Sequence, residues 1–298
     1  MKSIETILVA TDFSPTASRA EERAVLLAVQ HNARLILQHC LPGQAMKRLH
    51  DRLLLRDTKT EAQLHDYFEG KLRQQAEELA GRWKIDVTPL LTVGQPHREI
   101  TRIERENGAD LVVLGAMGEH PAREFFLGST AERVVREAAT PVLVVRNEVR
   151  EPYSRVLVAL DLSVHGPTVA QLAYDIIPTA RLSLVHAFEV PFEGKLHFAG
   201  VSEDEIHRYR QEERQRALST LQALAADLKT QPDIRVEHGM PEAVIPVLLR
   251  EAAAELVVAG KHGSSEIIDL LLGSMTKHLM RESGCDVLVV PPALESKA

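Results

Sequence analysis

The sequence predicts an α/β protein made of two tandem domains, each a five-stranded parallel sheet covered by helices. Three observations carry the prediction: a length of 298 residues, an internal repeat, and short β-branched runs that alternate with longer amphipathic stretches. At roughly 150 residues per domain, the length suits two compact cores better than one large one. The repeat gives both the same order. Ile7 to Asp12 (ILVATD) is echoed by Val156 to Asp161 (VLVALD) at an offset of 149, and Arg34 to Cys40 (RLILQHC) by Arg181 to Ala187 (RLSLVHA). At an offset of 145, Gly94-Gln95-Pro96 is matched by Gly239-Met240-Pro241, Ala109 to Gly115 by Ala254 to Gly260, and Pro141 to Arg146 by Asp286 to Pro291. So small a change in offset means that the halves share one fold. The polar stretch Asn147 to Ser154, with Pro152 inside it, sets the expected domains at 1–149 and 150–298.

Within the first half the alternation predicts strands near 5–11, 34–39, 85–92, 110–115 and 141–146. Helices are expected over 15–31, 61–83, 96–107 and 130–139. Ser14 is a natural N-cap, and Pro15 fits the first helical position, where its missing N–H costs nothing. The second half follows the same scheme. Pro246 falls inside its third helical pattern and predicts a kink or a later start there.

Composition limits the function classes. With 45% apolar and 26% charged residues, the chain is neither disordered nor a disulfide scaffold. No apolar run reaches the roughly 18 to 20 residues of a membrane span, and the N-terminus has no signal-peptide core, so the expected location is the cytoplasm. Cys40 and Cys285 lie in different halves without zinc or redox spacing and read as free thiols. Acidic residues outnumber basic ones 42 to 35 and aromatics are 4%, which argues against nucleic acid as a partner. The first 149 residues carry 20 basic and 21 acidic side chains and the rest 15 and 21, so the acidity belongs to the second half.

The sharpest chemical signal is a glycine constellation that occurs twice. Gly115-Ala116-Met117-Gly118 is followed after nine residues by Gly128-Ser129-Thr130, and Gly260-Lys261-His262-Gly263 after nine by Gly273-Ser274-Met275. Each begins where an apolar strand ends and finishes where a helix starts, at the carboxyl edge of a parallel sheet, where open α/β folds bind ligands. Glycine lets the main chain approach an anion, and a Gly-Ser helix start presents free N–H groups at the positive end of the dipole. Phosphate is the expected guest. The spacing is neither GxxxxGK[ST] nor GxGxxG.

The pattern resembles the universal stress protein family, whose nucleotide-binding members carry G-x2-G-x9-G-[ST] in the last third of each domain. The resemblance spans the chain twice and includes Asp12 and Asp161 at strand ends, His39 and His186 in the second strand, the G-x-P turn and the closing PVLVV-type strand. It implies two Rossmann-like domains forming an intramolecular pseudo-dimer through their last strands, with a further homodimer of the full chain as an option. It also implies ATP, with Mg²⁺ as an accompanying ion, in each half. By similarity Asp12 and Asp161 hold the ribose or a metal, and the backbone at Cys40 and Ala187 faces the adenine. Gly115, Gly118, Gly128, Ser129 and Thr130 hold phosphates in one half, and Gly260, Lys261, Gly263, Gly273, Ser274 and Met275 form the matching loop in the other.

Each residue also has a structural reading. Ser129-Thr130-Ala131-Glu132 has the S-x-x-E form of a capping box, and an aspartate after a strand commonly makes an Asx turn. Lys277 replaces Glu132 and Lys261 replaces Ala116, while Glu119 sits in the first loop. On charge alone, the second site is expected to bind ATP more tightly. Against this, Met275 lacks the hydroxyl of Thr130, and Arg123 and Arg133 favour the first site. None of the 13 histidines has metal-ligand spacing. The basic run from Lys47 to Arg56 reads as a solvated face. The leading function is a nucleotide-dependent stress-response regulator with an unidentified protein partner. The alternatives are a slow ATPase, for which no general base or Arg finger is visible, and a nucleotide-free scaffold or small-lipophile binder.

Overall fold

The computed structural model describes residues 3–43, 59–118, 127–196, 198–261 and 272–292. The chain divides into two compact units, Met1–Pro152 and Tyr153–Ala298. Tyr153 is buried, and its hydroxyl donates to Oδ2 of Asp286 in the last strand of the second unit.

The first unit runs β1 (Thr6–Thr11), α1 (Pro15–His31), β2 (Arg34–Pro42), α2 (Lys59–Trp83), β3 (Val87–Gly94), α3 (Pro96–Glu106), β4 (Leu111–Gly115), α4 (Ser129–Glu137) and β5 (Val142–Val145). All pairings are parallel, in the order β3-β2-β1-β4-β5. Consecutive residues Ile7, Leu8 and Val9 are fully buried, as a strand covered on both faces requires. The chain moves outward from β1 to β2 and β3, then returns across β1 to β4. Right-handed crossovers therefore place α1 and α2 on one face and α3 and α4 on the other. The reversal leaves a crevice at the carboxyl ends of β1 and β4.

Local chemistry sets the helix starts. Ser14 caps α1, its Oγ accepting the Ala17 N–H at 3.2 Å, and Pro15 begins the helix. On α1, Ala17, Ala20, Ala24 and Ala28 are buried, and such small side chains let the helix lie close to the sheet. Asn32 ends α1 in the left-handed conformation with φ 54°.

The second unit repeats the scheme with β6 (Arg155–Ala159), α5 (Gly166–Ile176), β7 (Arg181–Phe188), α6 (Glu193–Leu196), α7 (Glu203–Asp227), β8 (Asp233–His238), α8 (Pro241–Glu251), β9 (Leu256–Gly260), α9 (Ser274–Glu282) and β10 (Asp286–Val290). Its order, β8-β7-β6-β9-β10, is that of the first unit. The amino edges are fastened alike. Oδ2 of Asp110 accepts the N–H groups of Glu5 and Thr6 at 2.9 and 3.1 Å, and Oε2 of Glu255 those of Ser154 and Arg155 at 2.6 and 3.2 Å.

Two helix starts of the second unit differ from expectation. The helix after β6 does not start at the position matching Ser14; α5 begins at Gly166 with His165 as an N-cap that makes no side-chain bond, because its proline has moved to Pro167. Of the two outcomes expected from Pro246, the later start does not occur: α8 starts at Pro241 and runs 11 residues, as α3 does from Pro96, with Pro246 carried in its interior. Among the described residues no helix is long and apolar enough to cross a membrane.

Candidate functional site

The described residues among those singled out in the sequence converge on the carboxyl edge of each sheet. In the first unit β1 ends at Thr11, and Asp12 turns the chain: its Oδ1 accepts the Ser14 N–H at 3.0 Å. This is an Asx turn, with Phe13 between them in the left-handed region at φ 62°. The second unit matches it, with Oδ1 of Asp161 accepting the Ser163 N–H at 3.1 Å and Leu162 at φ 58°. Two non-glycine residues held at positive φ in matched positions make the turn part of the shared fold.

The histidines of the second strands act structurally. Nδ1 of His39 lies 2.7 Å from the Thr11 carbonyl and Nδ1 of His186 lies 2.8 Å from that of Leu160. A carbonyl only accepts, so each Nδ1 carries the proton. The His39 ring also meets Phe13 at a tilt, with centroids 4.6 Å apart, and stacks on Phe68 at 5.1 Å, and the two phenylalanine rings lie 6.1 Å from each other. These contacts fix the β1 turn against α2.

Cys40 lies beyond the last β1–β2 pair, Thr11↔His39, while β2 continues through Pro42. The Arg34 N–H points at β1, bonding to the Glu5 carbonyl. Alternation gives Cys40 the same direction, so its carbonyl faces the side where β1 has ended. Ala187 repeats this: Arg181 N–H bonds to Ser154, and the β6–β7 register ends at Ala159↔Val185 while β7 runs to Phe188. Burial pushes the Cys40 thiol pKa up, so the thiol stays protonated and unreactive.

The glycines divide by role. A Cβ on Gly115 would lie 2.9 Å from the Thr16 carbonyl oxygen, so this glycine lets the end of β4 touch the first turn of α1. The Thr16 hydroxyl donates to the Met117 carbonyl at 2.8 Å and fastens the loop there. A Cβ on Gly118 would lie 2.9 Å from Oδ2 of Asp12, which brings the loop main chain against that carboxylate. Gly128 closes the loop: its N–H donates to the Ala116 carbonyl at 2.7 Å, and Gly273 does the same to Lys261 at 3.0 Å. Gly260 ends β9, and Lys261 follows, buried, its N–H donating to Val290. Gly263, like Glu119, Arg123 and the basic run around Lys47 to Arg56, lies outside the described residues.

The expected capping box does not form. Gly128 is the N-cap of α4, at φ −63° and ψ 141°, and brings no side chain to the helix. Ser129 is thereby the first helical residue, and Glu132 instead pairs with Arg136 at 3.0 Å. Gly273 stands identically before α9. Leaving the cap to glycine keeps the first N–H groups open to a ligand. Beside this helix start lies a cleft of about 240 Å³ lined by Pro42, Gly94, Pro96, His97, Ser129, Thr130 and Arg133.

Comparison with known proteins adds the family to this geometry. The model of the universal stress protein family matches residues 3–146 and again 152–291. The chain belongs to the universal stress protein family. Universal stress protein MT2052 of Mycobacterium tuberculosis is 26% identical over 95% of this chain and 94% of its own, a tandem relative. Universal stress protein MJ0577 of Methanocaldococcus jannaschii is 28% identical over 48% of this chain and 94% of its own. The crystal structure of a universal stress protein from Archaeoglobus fulgidus covers 98% of this chain and 100% of that one at 17% identity, with a TM-score of 0.71, a likeness of fold.

As a tandem universal stress protein, the chain carries one site frame twice with different side chains around it. Sequence reasoning missed two of them. His97 lines the first cleft, and its Nε2 lies 3.7 Å from Oε1 of Glu137. Its counterpart at the 145 offset is Glu242, whose Oε1 accepts the Ser274 hydroxyl at 2.9 Å. Both follow the proline of the G-x-P turn, and that was the signal available in the sequence. Met275 and His278 stand where the first unit has Thr130 and Arg133.

Proposed function

We propose that this universal stress protein binds ATP at the carboxyl edge of its first domain and changes its associations with occupancy. The observation that carries the reading is the meeting of Gly115–Gly118 with Gly128: Gly118 lies against Asp12, and α4 opens behind a side-chain-free cap. In this reading the Cys40 carbonyl meets the adenine edge. Asp12 takes the ribose hydroxyls, and the N–H groups of Ser129 and Thr130 take phosphates at the positive end of α4. Arg133, lining the cleft, supplies the charge-assisted contact.

The donor set also fits Mg²⁺, which is commonly held by one or two carboxylates together with phosphate oxygens. Asp12 is the carboxylate at that place, and a bound Mg²⁺ would neutralise phosphate charge. Occupancy acts on conformation only through differential affinity, and the parts that touch ligand in one state and not the other are the loop and the first turn of α4.

The deciding experiment is denaturation of purified protein and identification of what is released. An adenine nucleotide in stoichiometric amount is the expected result. A protein that releases none and gains no thermal stability from ATP, against roughly 2.7 kcal/mol expected at a hundred times the dissociation constant, overturns the reading and leaves the scaffold.

A further inference from the structure

We infer that Glu242 closes the phosphate position of the second domain, so that the chain takes one adenine nucleotide, in its first domain. The inference rests on the nucleotide reading above and assigns that reading to one of two homologous sites.

Ser274 is the first residue of α9, and its hydroxyl is committed to Oε1 of Glu242, 2.9 Å away in the first turn of α8. Gly273 supplies no side-chain cap, so the Glu242 carboxylate is the anion standing at the positive end of this helix. A phosphate is drawn by the same field and by the same Ser274 hydroxyl, and two anions in contact repel. The domain's own carboxylate therefore takes the place of the ligand.

The first domain lacks this plug. His97 replaces Glu242, and Arg133 lines the cleft beside Ser129 and Thr130. Of the carboxylates near that cleft, Glu99 pairs with Arg102 at 2.7 Å and Glu132 with Arg136 at 3.0 Å, while Oε1 of Glu137 lies 3.7 Å from Nε2 of His97. Met275 removes the hydroxyl of Thr130, and His278 replaces the fixed positive charge of Arg133.

The lysines that favour the second site in a tally of charges do not compensate. Lys261 is only 7% exposed, and Lys277 lies one turn into α9, its N–H bonded to the Gly273 carbonyl. Proximity to the helix start, where Glu242 stands, outweighs the sum.

Calorimetric titration of the full chain with MgATP tests the inference. The expected stoichiometry is near one for the natural sequence, near two for Glu242→Gln, near zero for Gly128→Val, and near one for the double variant. At Gly128 an added Cβ itself meets nothing closer than 3.4 Å. A thermal melt of each variant verifies folding. A natural chain that binds two nucleotides, or a folded Gly128→Val that still binds one, overturns the inference and leaves the nucleotide reading standing. No binding in any folded protein overturns both.

Discussion

Gly118 and Asp12 approach so closely that a single added carbon on the glycine would lie 2.9 Å from Oδ2 of the aspartate. The atom in the way is the end of a side chain, so Gly118→Ala displaces the carboxylate and leaves the backbone in place. We expect ATP affinity to fall about tenfold, a change of about 1.4 kcal/mol, with the melting temperature nearly unchanged. Calorimetry paired with a thermal melt checks this, and an equal loss of stability and affinity would count against the assignment of Gly118 to the site.

Gly115→Ala separates the two glycines. Its added carbon meets the main chain of Thr16 at 2.9 Å, and neither the strand end nor the helix start yields easily. Overpacking of this kind costs about 1 to 3 kcal/mol. Urea unfolding should register that loss, while Gly118→Ala shows little.

Glu104 fastens the far side of the first domain. One of its carboxylate oxygens accepts the N–H groups of Ala139 and Thr140, both at 2.8 Å, and the Thr140 hydroxyl at 3.0 Å. The residue is 1% exposed, so Glu104→Ala removes the acceptor from three donors and opens a hole beneath α3. A loss of about 2 to 4 kcal/mol in chemical denaturation is expected.

Glu255 predicts acid sensitivity of the second domain. Partial burial works against its charge, but the N–H groups of Ser154 and Arg155 prevail and hold its carboxyl below the ordinary value of 4.5. A lowered folded-state pKa adds stability that is fully present above the unfolded value and is lost as pH falls through the folded one. Glu255→Gln should therefore be less stable than the natural protein at pH 7 and converge with it below pH 4.5. A constant difference across that window would refute the linkage.

Glu21 predicts the opposite slope. Burial, the largest influence, raises its carboxyl above 4.5 despite hydrogen bonds from Thr11 and Gln75. Folding then favours the protonated form, so stability declines as pH rises from the unfolded pKa through the folded one. Glu21→Gln should stabilise the protein at pH 8 relative to the natural chain, with the gain shrinking on acidification. Melting temperatures across pH 4 to 8 would show it, and a gain that grows toward acid would contradict the burial of the charge.

The α1 boundaries, 15–31, are readable from Ser14-Pro15 and the periodicity that follows, because a cap and its helix are neighbours in the chain. Strand β2 runs three residues past its expected end, to Pro42, because pairing with β3 continues there and pairing is not local. The S-x-x-E sequence at Ser129 has the right letters for a capping box. Closure of the loop by the Gly128 N–H on Ala116 shifts the cap by one residue and leaves Glu132 to Arg136.

What the sequence by itself determined was the doubled α/β frame, the family and the position of both glycine loops. Those rest on periodicities and motif spacings along the chain, repeated at offsets of 145 and 149 residues. Only the tertiary structure decided which glycine packs against a helix and which against a carboxylate, and that Glu242 stands at the start of α9. Gly115 and Thr16, Gly118 and Asp12, and Glu242 and Ser274 meet because crossovers bring separate loops to one sheet edge. Contacts of that kind depend on distances of a few ångströms between elements, and no pattern along the chain encodes them.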